Sequence, residues 1–299
     1  MKSKSIIILF GMMAWLQGQE RPQKGFDTPR AAADALVEAA DHYDVAALVN
    51  ILGPQSEDIV SSKDPVQDKN RAREFAAKAH EKMSVEVDRK NPKRATLAVG
   101  GDGWPFPAPL LERGGKWYFN GKAGREEILM RRIGQNELDA IAVCRGYVDA
   151  QKAYAENSED HQYAQRIIST PGKKDGLYWR DPDGTAGGPI AEPAAKAIQE
   201  GYSMAKPSPY RGYYFKILKG QGPAAKLGEL DFVTHGMMIG GFALVAAPAE
   251  YRVTGVKTFL VSHDGVVYEK DLGPNTLKVF EAMELYNPDT TWKKTEDEW

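Results

Sequence analysis

The hydrophobic period of this chain changes at Met83, and that change restricts the possible folds more than any other feature. Ahead of it, "FDTPRAAADALVEAADHYDVAALVNILG" offers Asp27 or Thr28 as an N-cap and Pro29 at the first helical position. Ala32, Leu36, Val37 and Ala40 then recur at helical spacing. Asp44 starts a second helix with Ala47, Leu48 and Ile51 on one face and Gly53-Pro54 as its stop, and a third helix is expected from Arg71 to Lys82. Beyond Met83, "MSVEVDRKNPKRATLAVG" alternates Val85 and Val87 with charged neighbours, turns at Asn91-Pro92 and resumes with Ala95, Leu97 and Val99. A second hairpin turns at Gly114-Gly115, with Trp117 and Phe119 on one face and Tyr118 on the other. Helices followed by an antiparallel sheet make an α+β domain of about one hundred residues.

Helix returns between Ala123 and Ser158, read as two pieces. "GREEILMRRIGQ" aligns Ile128, Leu129 and Ile133 and is expected to end near Gly134, since glycine costs a helix about 1 kcal/mol relative to alanine. "NELDAIAVCRGYVDAQKAYAENS" follows, with Asn136 as cap, Asp139 three residues on, and Leu138, Ile141, Ala142, Val148 and Tyr154 as the expected buried stripe. From Pro171 to Pro209 the chain is rich in glycine and proline, with one short helix expected in "AEPAAKAIQEG". A connection of that length is usually a folded functional loop or a partly mobile one. Short strands follow in "YRGYYFKILKG", "LDFVTHG", "MIGGFALVAAP", "VKTFLVS" and "GVVYEKDLG", the pattern of a second antiparallel sheet. In the last hairpin Phe259 and Val261 alternate before Asp264-Gly265, Val266 and Tyr268 after it, and His263 is expected in solvent at the tip.

The N-terminus, "MKSKSIIILFGMMAWLQGQE", sets Lys2 and Lys4 ahead of an apolar run from Ile6 to Leu16 and the small residue Gly18. This is the pattern of a secretory signal peptide, too short to span a bilayer comfortably, although Leu16 stands where a cleavage site has a small residue; the alternative is a retained N-terminal anchor. The expected location is periplasmic or secreted, with no transmembrane span after signal removal. Cys144 is the one cysteine, so an exported chain must rely on core burial instead of an internal disulfide. With 42% apolar and 27% charged residues the 299-residue chain is that of a folded protein, and a net charge of -2 argues against nucleic acid as a partner.

The first helices with their curved antiparallel sheet resemble the nuclear-transport-factor-2-like cone, a fold shared with polyketide-cyclase-like enzymes. "NELDAIAVCRGYVDAQKAYA", the glycine-rich loop and the sheet closing on "DGVVY" are similar to the globular half of type IV pilins, although here a whole domain precedes the helix. The chain from Phe26 to Thr276 resembles a bacterial secreted family known as domain of unknown function 2950. The segments "WPFPAPLLERGGKWYFN", "AQRIISTPGKKDGLYW", "YRGYYFKIL" and "MIGGFALVAAPAEYRVTGVKTF" are among those that carry it. That resemblance implies export and a two-part layout and supplies no activity. The expected organisation is a signal peptide over 1–19, a cone-like α+β domain over 20–122, a pilin-like α+β domain over 123–285 and a polar tail over 286–299.

The residues that carry chemistry are sparse. The histidines, His42, His80, His161, His235 and His263, show no zinc spacing. "DPDGTAGG" resembles the start of a calcium loop, with Asp181 and Asp183 as weak metal candidates and Glu192 at the twelfth position. However, Gly184 stands at the fourth position instead of the sixth, and a plain Asp-Gly turn is the better reading. There is no GxSxG elbow, and neither "GGDGW" nor "GQG" makes a phosphate-binding pattern. Cys144 lies on an amphipathic helix and reads as a buried thiol. The aromatic groups Trp117, Tyr118, Phe119 and Tyr210, Tyr213, Tyr214, Phe215 read as sheet residues before pocket linings. No catalytic set and no cofactor site is expected. The expected function is non-enzymatic: binding, adhesion or a structural role in the bacterial cell envelope, with an envelope protein or a second copy of the chain as partner. The alternative is a small-ligand binder or enzyme using a cavity in the first domain, with His42, Asp44 and His80 as acid-base candidates.

Overall fold

The computed structural model describes residues 23–53, 56–61, 65–158, 160–191, 195 and 209–296. The expected signal peptide, Pro54, Glu192 and most of the expected helix in "AEPAAKAIQEG" lie outside the described residues. The fold is α+β, and the chain divides into two compact units, residues 1–128 and 129–299.

In the first unit α1 (Pro29–His42) starts on Thr28, whose Oγ1 accepts from the Ala31 amide at 3.0 Å, and ends on Tyr43 in the left-handed region at φ 49°. Its buried face runs from Ala32 through Leu36 and Val37 to Ala40. Asp44 caps α2 (Val45–Leu52), accepting from the Ala47 amide at 2.9 Å. The short α3 (Glu57–Val60) follows, and α4 (Pro65–Glu81) starts six residues earlier than the apolar spacing predicts. Between Pro65 and Asn70 Val66 is the one aliphatic residue, which gives no stripe by which to place the start.

Five strands then form an antiparallel sheet: β1 (Met83–Val87), β2 (Arg94–Val99), β3 (Trp104–Pro105), β4 (Leu110–Arg113) and β5 (Lys116–Phe119), in the order β1-β2-β4-β5 with β3 also on β2. Gly114 and Gly115, at φ 60° and 75°, make the two-residue turn between β4 and β5, as their sequence predicts. Leu36, Leu97, Leu110 and Phe119 are almost wholly buried and fill the space between helices and sheet.

A single helix, α5 (Gly121–Asn157), replaces the two expected pieces. Gly134 does not break it, because burial of Ile133, Ala140, Ile141, Cys144, Tyr147 and Val148 outweighs a local cost of about 1 kcal/mol. The buried stripe is rotated from the expected one: Leu138 is 44% exposed and Ala142 faces out. Asn136 and Asp139 do not cap. Instead, Asn136 Nδ2 donates to the Thr254 carbonyl at 2.8 Å, Glu137 Oε1 accepts from the Val256 and Lys257 amides, and Asp139 pairs with Arg211 at 2.9 Å.

The second unit contains β6 (Arg166–Ile168), β7 (Gly176–Arg180), β8 (Ala186–Gly187), β9 (Tyr213–Leu218), β10 (Gly220–Gln221), β11 (Leu230–Asp231), β12 (Val233–Thr234) and β13 (Met237–Met238). They are followed by β14 (Ala243–Pro248), β15 (Lys257–Ser262), β16 (Val267–Asp271), helix α6 (Thr276–Ala282) and β17 (Lys293–Lys294). The main sheet is antiparallel in the order β17-β16-β15-β14-β9. Every residue of β14 is buried, as are five of the six in β15. The α5 residues Cys144 and Tyr147 and the α6 residue Phe280 belong to the same core, with Tyr147 edge-on to Phe242 at 5.7 Å. Tyr286 and Trp292 are buried and β17 pairs with β16, so part of the segment that reads as a polar tail completes this sheet.

The last hairpin turns at Asp264-Gly265, with Gly265 at φ 77° and its amide bonded to the Ser262 carbonyl. Only the glycine takes a positive φ, and Val267, not Val266, is the buried residue after the turn. His263 is not a free tip: its ring lies edge-on to Phe232 and Phe242, 6.4 Å from each.

Candidate functional site

None of the first unit's acid-base candidates is among the described residues that line its cleft. His42 is exposed, Asp44 is occupied as the α2 cap, and His80 Nε2 lies 2.5 Å from Asp41 Oδ2 at the surface. A cleft of about 270 Å3 in this unit is lined by other residues, among them Gln23, Arg113 and Asn120. Gln23 Nε2 there donates to the carbonyls of Ile51 and Phe119, which ties the first described residues to the core.

The second unit holds a larger depression. It is built on Gln151, a fully buried amide on α5. Gln151 Nε2 donates to the Ala164 carbonyl and to Tyr147 Oη, and Gln151 Oε1 accepts from the Ala164 amide, all at 2.8 Å. A side chain thus replaces one rung of backbone pairing and fixes residues 162–166 against the helix. Next, β6 runs parallel to β7 across a connection of residues 169–175, which is short for a parallel pair. Asp175 fastens that connection: its two oxygens accept from the Thr170 amide at 2.7 Å and the Thr170 hydroxyl at 2.8 Å. Tyr154 Oη donates to the Lys174 carbonyl at 2.6 Å.

These anchors enclose a cleft of about 640 Å3, lined by Tyr154, Tyr163, Gln165, Arg166, Lys174 and Lys219 among others. A neighbouring cleft of about 760 Å3 shares Tyr154, Gln162 and Lys174 and extends to Trp179. Burial pushes the Asp175 carboxyl up, but the Thr170 hydrogen bonds and the Arg166 charge outweigh it and hold the group below the usual carboxylate range. Arg166 Nε stands 3.8 Å from Asp175, a loose pair. Lys174 Nζ pairs with Asp181 at 2.9 Å and lies 5.2 Å from the centre of the Trp179 ring. Lys219 is exposed and has no ion-pair partner among the described residues. Burial, followed by the Asp175 charge, raises the Tyr154 phenol, so it remains a hydrogen-bond donor at neutral pH.

Asp181 and Asp183 lie in the hairpin between β7 and β8. The Gly184 amide donates to the Asp181 carbonyl and Gly184 has φ 86°, the turn that its sequence predicts. Asp183 Oδ1 accepts from the Thr185 amide at 2.9 Å, and that bond holds its carboxyl low. Among the described residues no group of three or more His, Cys, Asp or Glu side chains is placed to hold a metal ion. Cys144 is fully buried, and burial pushes its thiol up to about 12. His235 occupies the turn between β12 and β13 at φ 52°, and His161 Nδ1 is 3.2 Å from the Ala155 carbonyl. Tyr213 is buried with its hydroxyl on the Lys257 carbonyl.

The cleft residues Tyr154, Gln162, Arg166, Lys174 and Lys219 carry no spacing signal. The available hint is the loop "TPGKKDG", at the start of the glycine- and proline-rich region where a functional loop is expected. Residues 23–295 match the family described as "Protein of unknown function (DUF2950)". The chain belongs to this family. For this DUF2950 chain no curated protein and no solved structure gives a match. Among the described residues no helix is long and apolar enough to cross a membrane. The DUF2950 match includes every residue of the cleft.

Proposed function

We propose that this DUF2950 protein is an exported, non-enzymatic binding protein of the bacterial cell envelope whose contact site is the second unit's cleft. One observation carries the reading: the cleft is walled by groups fixed through hydrogen bonds, and its acid is committed. Asp175 has both oxygens engaged and stays ionised at neutral pH, so it is a poor proton donor there. Lys174 is engaged by Asp181 at 2.9 Å. Such a preformed surface suits the holding of a ligand. Export rests on the charged and apolar N-terminal pattern of residues 2–16. In this proposal the first unit is a nuclear-transport-factor-2-like cone whose interior is packed with Leu36, Leu97, Leu110 and Phe119, which leaves binding to the second. The second unit is a pilin-like helix on an antiparallel sheet, supported by the α5 stripe that shares one core with β9, β14 and β15.

The full-length chain, expressed in a bacterium with a C-terminal epitope, should be processed near Gly18 to Glu20 and leave the cytoplasm. The purified mature protein should co-sediment saturably with isolated cell envelopes, and Lys219→Glu should weaken that binding. An unprocessed cytoplasmic chain overturns export; sedimentation that is unsaturable or indifferent to Lys219 overturns the binding site.

A further inference from the structure

We infer that the cleft between Tyr154 and Lys219 takes an acidic glycan, a sugar chain carrying ring carboxylates. This rests on the binding reading above and names the ligand class for the same site. Three features point to it. First, among the described residues the 640 Å3 cleft is lined by the cations Arg166, Lys174 and Lys219 against one acid, Asp175, in a chain whose net charge is -2. Asp175 is already engaged by Thr170, and Lys174 by Asp181, so the charge left for a ligand is that of Lys219 and the loosely paired Arg166. A guanidinium fork beside a lone ammonium suits a carboxylate. It is weak for a polyphosphate, whose several charges need more cations than the cleft has free.

Second, the apolar part of the wall is aromatic. Tyr154 and Tyr163 line the cleft, Tyr163 is braced edge-on by Phe242 at 4.7 Å, and Trp179 lines the continuation beyond Tyr154. Flat rings held in place match the CH faces of pyranose sugars and lose little side-chain entropy on binding. Third, amides stand between the rings and the charges. Gln165 Nε2 is fixed on the Gly236 carbonyl at 2.7 Å, which leaves its oxygen as a positioned acceptor, and Gln162 borders both clefts. Hydroxyl groups of a sugar provide donors and acceptors for such amides. An acidic peptide would satisfy the cations but would leave the rings and amides without a specific task.

The test is calorimetric titration of the mature chain with tetragalacturonate, cellotetraose and polyglutamate. Tetragalacturonate should bind, at least tenfold more tightly than cellotetraose, and added salt should weaken it. Lys219→Gln should lower affinity about tenfold through loss of a charge-assisted contact, with the melting temperature unchanged because its side chain is exposed. Lys226→Gln, an exposed lysine outside the cleft, should leave binding as it is. Equal affinity for the two tetrasaccharides, polyglutamate binding as tightly as tetragalacturonate, or an unaffected Lys219→Gln overturns the ligand class. If envelopes still bind saturably through Lys219 while tetragalacturonate does not bind, the glycan inference falls and the binding reading stands. Failure of both removes both.

Discussion

In the first unit β2 alternates buried Ala95, Leu97 and Val99 with half-buried Thr96 and Ala98, while in the second unit β14 is buried along its whole length. Both are internal strands of antiparallel sheets. They differ in what covers them. β2 has one face against α1 and α4 and the other partly in water, whereas the β14–β15 pair lies within a core that draws on α5, α6 and the residues around Phe232 and Met238. Where one face is wet, the sequence must alternate and local pattern reports structure. Where both are dry, the pattern is lost and tertiary burial decides.

The comparison breaks or holds most directly through parity. Leu244→Ala and Val245→Ala, neighbours on opposite faces of β14, should both be strongly destabilising, each by about 2–5 kcal/mol in urea unfolding. In β2, Leu97→Ala should cost as much, but Thr96→Ala less than about 1 kcal/mol. A mild effect at Val245 would mean that one face of β14 is open.

A second test addresses the device that builds the cleft. Gln151→Ala leaves the buried Ala164 amide and carbonyl without partners, at about 2–4 kcal/mol. Its amide hydrogens around residues 162–166 should exchange faster. No alanine scan guided by sequence would single this residue out, because a polar residue on a helix reads as a solvent-facing one. Unchanged exchange would show that the segment is held by other contacts.

These contrasts explain what the sequence disclosed. The α+β class, Thr28 and Asp44 as caps, the Gly114-Gly115 turn and the Asp-Gly turns were legible because each depends on residues within a few positions. The facing of Leu138 and Ala142, the environment of His263 and the burial of Tyr286 and Trp292 were not, because each is set by residues distant in sequence. The cleft was the least legible. Arg166, Lys174 and Lys219 are ordinary surface residues until the fold brings them together, whereas of the residues that look chemical in sequence His80 pairs with Asp41 at the surface and Asp44 is taken up as a helix cap.

A smaller effect follows from Asp175. Its folded pKa is below the ordinary carboxylate value, so its contribution to stability is present above the unfolded pKa, near 4, and is lost as pH falls below that. Asp175→Asn should reduce the loss between about pH 4 and pH 2 in acid unfolding. An acid limb identical in the variant would show that the 169–175 connection is held without this charge.

The smallest effect carries the sharpest sign. Gly134 marks where local propensity predicts a break and tertiary burial keeps α5 continuous. A methyl group added there would meet no atom within 4 Å, and its φ is not positive. In a continuous helix Gly134→Ala therefore restricts only the unfolded chain and should stabilise the protein by about 0.5–1 kcal/mol. If the helix ended at Gly134 in the left-handed conformation of a helix stop, the same substitution would be strained and would destabilise. The two geometries thus predict opposite shifts in melting temperature, and a decrease would return the decision at this point in the chain to local sequence.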